Sequence, residues 1–423
     1  MLKLIYFFHD FNTQNCDEGL ENYSMHPKYR FNRLEFSGSL GDLGTLLPLA
    51  LGLILVNGLS PNGIFLSVGL FFIFSGLYFG VTAPIQPMKV ISAYAIATAM
   101  TASQITASGY LIGLVLLIIG ATGAITVIGR YIPKSVVRGV QLSTGTLLMV
   151  EGIKFMLGTT RLQILRQAAE PYLSITGVGP VPVGIIIGIA GGMLTLLLLN
   201  NKKFPAGMVV VLGGIALGLI FGIREGLDKI SPGIHLPQFL PLGWPTRADF
   251  TFALFALVLP QIPMTLGNAV IAYADLSKDY FGASSKKVTY KSACISMALA
   301  NFVSSTIGGM PLCHGAGGLA AHYRFGARTA GSNLMIGAIF VILAVVLGND
   351  SLAVIYLLPL SVLGILLLFA GSQLALTIMD LENRKDFFVV LFMLGITIAS
   401  NLAAGFVVSI VVAWVLKAKK LNV

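Results

Sequence analysis

"GGMPLCHGAGGLAAHYRFGAR", residues 308–328, is the least lipid-compatible stretch in a chain that is 56% hydrophobic. It carries six glycines, a proline, two histidines and two arginines, yet long apolar runs flank it on both sides. The chain has 423 residues, of which only 10% are charged, where a soluble protein would carry about a quarter. Apolar runs near 20 residues long recur from about residue 37 to about residue 417, enough for each to cross a bilayer as a helix. The composition predicts an all-α polytopic membrane protein. The stretch at 308–328 falls among its spans, where irregular backbone persists only if protein encloses it.

Apolar runs and breakers divide the chain into about fourteen transmembrane segments. They lie near 37–56, 61–80, 84–102, 108–128, 134–157, 180–199, 205–223, 250–273, 289–307, 311–323, 330–348, 351–371, 386–400 and 402–417. The third and tenth are too short or too broken to cross as plain helices. With the N-terminus inside, the inner connections hold Arg130 and Lys134, then Lys202 and Lys203, then Lys278, Lys286, Lys287 and Lys291. Further on they hold Arg324 and Arg328, Arg384 and Lys385, and finally Lys417, Lys419 and Lys420. The outer loop balances Arg224, Lys229 and Arg247 against Glu225, Asp228 and Asp249. This positive-inside bias predicts an even number of spans with both termini cytoplasmic.

Residues 1–33, with His9, Cys16 and His26, read as a cytoplasmic leader without the pattern of a secretory signal. Residues 418–423 read as a short cytoplasmic tail. The net charge of +10 falls in short loops, which points to topology and not to nucleic acid. Cys16, Cys294 and Cys313 show neither metal-ligand spacing nor a disulfide framework, so no metal or cofactor is expected. No connection is long enough to be an enzyme domain.

A second place in the chain shares the design of 308–328. "FSGSLGDLGTLLPLA" (36–50) is followed by "TAPIQPMKVISAYAIATA" (82–99), as "LPQIPMTLGNAVIAYADL" (259–276) is followed by "GGMPLCHGAGGLAAHYRF" (308–325). Pro87 and Pro311 are 224 residues apart, and the same offset carries Gly44 onto Asn268. Seven segments per half is an odd number, so the second half must insert upside down. The predicted organisation is a first repeat at 34–223, an external loop at 224–249 and a second, inverted repeat at 250–417. Paired Gly/Pro-broken segments at matching positions mark the binding site of a transporter.

Proline suits the first helical position, whose N–H has no intrahelical partner. Pro87 and Pro311 are therefore expected to start half-helices within segments 3 and 10, offering free N–H groups and a positive dipole end to an anion. Met88, Gly309, Leu312 and Gly315 would supply backbone around these starts, the glycines letting it approach a ligand closely. Gln86 precedes the first half-helix and Lys89 lies just inside it; Cys313 and His314 lie just inside the second. Ser37, Ser39 and Thr45 would face Gln261, Thr265 and Asn268, as donors for the oxygens of a desolvated oxyanion. Asp42, an acid inside a membrane segment, is the candidate proton-coupling group, with a local cap or a fixed ion pair to Lys89 as the alternative. His314 is either an anion ligand or a histidine satisfied at a tight crossing. Glu151 and Lys154 read as a structural pair, His322 as interfacial, and "FFIFSGLYF" (71–79) as lipid-facing.

"FSGSLGDLGTLLPLA", "APIQPMKVISAYA" and "GGMPLCHGAGGLAAHYRFGAR" resemble the signature stretches of the molybdate transporter family of plants and prokaryotes, a distant relative of the SulP sulfate permeases and of the uracil permeases. The resemblance spans about Phe36 to Lys417. It implies the seven-plus-seven fold with core (segments 1–4 and 8–11) and gate (5–7 and 12–14), with the substrate between segments 3 and 10. It also implies alternating access and a plasma-membrane location, and related folds are often homodimers. Segment 8 offers Thr265 and Asn268 where SulP carriers usually place an acid, which turns attention to Asp42. The implied cargo is molybdate, with tungstate and sulfate as tetrahedral competitors and an anion channel as the other class. Moving a dianion inward against the membrane potential costs about 2.3 kcal/mol per charge per 100 mV, so protons are the expected coupling ion.

Overall fold

The computed structural model describes residues 29–125, 133–175, 177–198, 206–223 and 233–418, with Asn201, Leu227, Ile230 and Ser231 between them. The leader up to residue 28 and the tail from Lys419 lie outside the described residues. So do the loop charges Arg130, Lys202, Lys203, Arg224, Glu225, Asp228 and Lys229.

Helix α1 (Arg33–Ser39) and helix α2 (Leu43–Leu55) are bent against each other by 44°. Asp42 stands at the start of α2 without capping it. α3 (Pro61–Phe79) begins at a Ser60 cap and stops at Gly80, whose φ of 76° suits glycine. The two-residue strand β1 (Gln86–Pro87) and the ten-residue α4 (Lys89–Thr98) follow. Next come α5 (Ala102–Thr122), α6 (Lys134–Leu157), the short α7 (Arg161–Arg166), a ribbon of β2 (Gly177–Val178) with β3 (Val181–Pro182), α8 (Val183–Leu198) and α9 (Ala206–Phe221). α10 is one rod over Arg247–Ser285. It leads to α11 (Tyr290–Thr306), strand β4 (Leu312–Cys313), α12 (Ala316–Arg324), α13 (Ala330–Leu347), α14 (Leu360–Ala375), α15 (Arg384–Ala399) and α16 (Leu402–Ala418). Among the described residues, five helices are long and apolar enough to cross a membrane, or six if α1 and α2 form one bent span.

Helical runs fall where the apolar runs predict them, with instructive differences. The twelfth is interrupted: a short helix at Ser351–Ile355 continues the span that starts at Ala330, and the long helix begins at Leu360, because Pro359 takes its cap position and cannot sit in a helix interior. A purely α fold is corrected by the small ribbons, above all β1 paired antiparallel with β4. α10 holds Pro260 and Pro263, whose missing N–H groups are accompanied by π-helical stretches at Leu254–Val258 and Thr265–Ala272. "FFIFSGLYF" is only partly lipid-facing: Phe74 and Tyr78 are exposed, whereas Phe71, Phe72 and Phe79 are buried.

The core is built from helix pairs that each join a helix before residue 224 to one after residue 246: α3 with α13, α5 with α11, and α6 with α14. Glycines set the separation. A Cβ on Gly145 would lie 2.5 Å from the Gly371 carbonyl oxygen, and one on Gly152 would lie 2.4 Å from that of Gly364. The reverse contacts are equally tight, at 2.6 and 2.5 Å, which is small-residue packing of the kind that brings membrane helices together. Glu151 and Lys154 form an i,i+3 ion pair of 3.3 Å on α6.

Candidate functional site

The two irregular lead-ins, residues 81–88 and 308–315, meet at the centre of this packing. Gln86 lies opposite Cys313 and Pro87 opposite Leu312, and the Met88 N–H donates to the Pro311 carbonyl at 2.9 Å. The expectation that Pro87 and Pro311 start helices is therefore corrected. The helices begin at Lys89 and Ala316, and both prolines sit in extended chain, which their fixed φ also allows. Cys313 and His314 accordingly precede α12 and do not lie inside it.

Buried amides complete the hydrogen bonding of this extended chain. Asn333 of α13 accepts from the Ala83 N–H at 2.9 Å and donates to the Ala83 carbonyl at 2.7 Å. Asn301 of α11 treats Leu312 the same way, at 3.0 and 2.8 Å. Each side chain acts as a further strand, so the backbone of Ala83 and Leu312 is paired without water. Asn301→Leu leaves an N–H and a carbonyl unpaired, at about 1–3 kcal/mol each. Its thermal unfolding midpoint in detergent is expected to fall clearly below that of the wild type; an unchanged midpoint would show that Asn301 does not brace Leu312.

His314 belongs to this bracing and not to an anion. Its Nδ1 lies 3.1 Å from the Pro84 carbonyl oxygen and its Nε2 2.9 Å from Ser296 Oγ. A carbonyl can only accept, so Nδ1 carries the proton, while Nε2 lies against the Ser296 hydroxyl, which also reaches the Ala293 carbonyl at 3.0 Å. The ring is fully buried, stacked on Tyr273 and flanked by Phe71 and Phe79. His322 is likewise fully buried, with Nδ1 2.9 Å from Thr82 Oγ1 and its ring stacked on Phe72.

The two short helices present unequal N-termini. Gln261, from α10, accepts from the N–H groups of Val90 and Ile91 at 3.0 and 3.1 Å, and donates to Thr265 at 2.9 Å. The start of α4 is thus capped, and the expectation that Gln261 and Thr265 face a ligand is corrected. α12 has no side-chain cap. Its first amides, on Ala316, Gly317 and Gly318, have no hydrogen-bond partner among the described residues, and the first helical bond runs from Leu319 to the Gly315 carbonyl.

Around this open end lie Asp42, Gln86, Lys89 and Asn268. Gln86 Nε2 donates to Asp42 Oδ1 at 2.7 Å, while Asp42 Oδ2 and Gln86 Oε1 are buried without partners. A Cβ on Gly318 would lie 2.6 Å from both Asp42 Oδ2 and Gln86 Nε2, and one on Gly315 would lie 2.3 Å from Gln86 Oε1 and 3.4 Å from Asn268 Nδ2. Lys89 at the start of α4 faces Asp42 with its charge, and Thr45 faces it with a hydroxyl. No salt bridge within 4.0 Å holds Lys89 among the described residues. Open space adjoins the group: a Cβ on Gly44, Gly267 or Gly317 would meet nothing within 4 Å. Thr45, Lys89 and Asn268 are only partly buried.

The remaining sequence candidates lie elsewhere or serve the scaffold. Ser39 donates to the Phe36 carbonyl within α1 at 2.7 Å, and Ser37 shares that helix. Cys313 points its thiol at the Pro87 carbonyl, 3.6 Å away. Met88, Gly309 and Leu312 are lead-in backbone. Sequence reasoning did not find Asn301, Asn333 or Gly318. Asn301 and Asn333 carry the signal of an amide inside an apolar run, in "LANFVSS" and "GSNLMIG".

Two solved structures share this fold. The transmembrane domain of a cyanobacterial bicarbonate transporter, BicA, matches with a TM-score of 0.62 at 16% identity, covering 90% of this chain and 96% of that one. The murine Solute Carrier 26 family member A9 anion transporter, in its inward-facing state, matches with a TM-score of 0.65 at 16% identity, covering 98% and 75%. Among sequences, Molybdate transporter 2 of Arabidopsis thaliana is 32% identical over 422 residues, covering 92% of this chain and 88% of that protein. Fold and relatives together define an integral-membrane anion transporter, a transport protein and not an enzyme. Within that class, the chain belongs to the family described as molybdate transporter of the MFS superfamily, matched over residues 34–148 and 253–374. The matched blocks contain both lead-ins.

Proposed function

We propose that this chain imports molybdate across the plasma membrane by alternating access, coupled to protons. The observation that carries the reading is the uncapped N-terminus of α12 with Lys89, held by no salt bridge among the described residues, beside open space, in a chain of the molybdate transporter family. Free amides and a lysine give a tetrahedral oxyanion hydrogen bonds and charge without deep burial of a second full cation. Asn268 and Thr45 supply further donors to its oxygens. In this reading the helical runs make fourteen segments in two inverted repeats, with both termini cytoplasmic. α4 and α12 are the half-helices, and a core carrying them moves against a gate that includes α6, α8 and α14.

Asp42 supplies the coupling. Its unpaired Oδ2 lies at the same open helix end that the anion would occupy. An ionised carboxylate beside a dianion is repelled, so binding the anion favours a proton on Asp42, and binding the proton favours the anion. Asp42→Asn mimics the protonated form. It is expected to keep molybdate exchange at equilibrium while losing acceleration by an inward proton gradient. Gradient-driven uptake equal to wild type would assign Asp42 to the scaffold.

The reading is tested by uptake of labelled molybdate into proteoliposomes against protein-free liposomes, with sulfate as competitor. Saturable uptake that excess molybdate or tungstate blocks, and that equimolar sulfate blocks only weakly, is expected. Equal inhibition by sulfate would make this a general oxyanion carrier, and voltage-driven current without a pH effect would make it a channel.

A further inference from the structure

A cavity of about 580 Å³ opens between α3 and α11, and neither Lys89 nor any residue of α12 lines it. That volume lies in the range of sites that enclose a ligand. Its walls are Leu70, Phe71 and Phe74 from α3 and Ile295, Leu299 and Val303 from α11. Phe74, Leu299 and Val303 are exposed on the apolar flank of the helices, where the groove opens. Polarity is confined to one end and to the floor. At the end stand Thr289, Lys291 and Tyr78, with Lys287 Nζ 5.4 Å over the Tyr78 ring. On the floor, Ser75 Oγ is buried without a hydrogen-bond partner.

We infer that this groove binds an anionic phospholipid, its acyl chain between α3 and α11 and its headgroup phosphate at Lys287 and Lys291. The apolar length suits a hydrocarbon chain, and the wet end carries two lysines that have no acidic partner within salt-bridge distance among the described residues. Of the nearby acids, Asp275 accepts from the Tyr290 hydroxyl at 2.8 Å, and Asp275 and Asp279 line an adjoining cavity together with Lys278 and Lys286. A basic pair where helices leave the bilayer attracts anionic lipid, and the apolar wall distinguishes a lipid from a free phosphate, which would gain nothing from it. The groove floor also reaches the bracing of the lead-ins, because Ser296 lines it and holds His314. This inference does not depend on the transported anion.

Native mass spectrometry of the purified full chain tests it, with phosphatidylglycerol and phosphatidylcholine of identical chains added in turn. Phosphatidylglycerol is expected to be retained preferentially, and retention is expected to fall about fivefold for each of Lys287→Ala and Lys291→Ala, with phosphatidylcholine unaffected. Ala300→Trp, which fills the groove, is expected to remove the bound lipid while leaving Lys287 and Lys291 in place. Equal retention of the two lipids by wild type, or lysine variants that retain phosphatidylglycerol as wild type does, would overturn the site. So would an Ala300→Trp variant that loses a dimer but keeps its lipid, since a second copy would then be the occupant. Molybdate uptake is not read in this experiment, so either result leaves the transport reading standing.

Discussion

Replacing Gly318 by alanine is expected to lower molybdate uptake by about tenfold to a hundredfold. The added methyl would stand 2.6 Å from Asp42 Oδ2 and from Gln86 Nε2, and 2.8 Å from Pro84 Cβ. None of these can move away easily. Pro84 is held through its carbonyl by His314, Ala83 by Asn333, and Gln86 by its bond to Asp42 and its pairing with Cys313. Overpacking of this kind costs about 1–3 kcal/mol, and about 1.4 kcal/mol is a factor of ten. The damage would fall on the position of α12 and on the Asp42–Gln86 bond, so uptake should suffer more than the amount of folded protein. Gly213→Ala is the control, because a methyl there meets nothing within 4 Å; it should transport as wild type does. A Gly318→Ala protein with normal uptake would mean that Gln86 and Asp42 do not need their present positions.

The second large effect is expected at Lys89. Lys89→Met keeps most of the side-chain stem and removes the charge facing the open end of α12. A hydrogen bond to a charged group contributes about 1.5–3 kcal/mol, so the dissociation constant for molybdate should rise about tenfold to a hundredfold. Binding of labelled molybdate to purified protein measures this without the complication of driving force. Lys89→Arg should not restore full affinity, since a planar fork does not fit where a compact ammonium did. Unchanged affinity in Lys89→Met would leave the lysine as a partner for Asp42 alone.

Much of this architecture was legible in the sequence because membrane folding imposes local rules. Long apolar runs fixed where helices fall, and the interruptions by "TAPIQP" and "GGMP" marked where backbone would be irregular. Two features were not legible locally. Proline favours both a helix start and an extended chain, so Pro87 and Pro311 alone could not show where α4 and α12 begin; their pairing across more than 220 residues decided it. Nor could the spacing show which helix end is free. Gln261 caps Val90 from 171 residues away, and no motif announces that contact. The same limit applies to His314, whose ring nitrogens are taken by Pro84 and Ser296. Asp42 stood out as an intramembrane acid, but its link to Gln86 of β1, 44 residues further on, came only with the fold.

The location of the anion is the claim on which the rest depends, and molybdenum offers a direct view of it. Crystals of the protein grown with molybdate, measured on either side of the molybdenum absorption edge, give an anomalous difference map in which the bound metal atom stands alone. One peak is expected between Lys89 Nζ and the free amides of Ala316, Gly317 and Gly318, close to Asn268 and Thr45. A peak at the Gln261-capped start of α4, against His314, or anywhere outside the lead-in region would contradict the assignment of the open end of α12 as the seat of the anion.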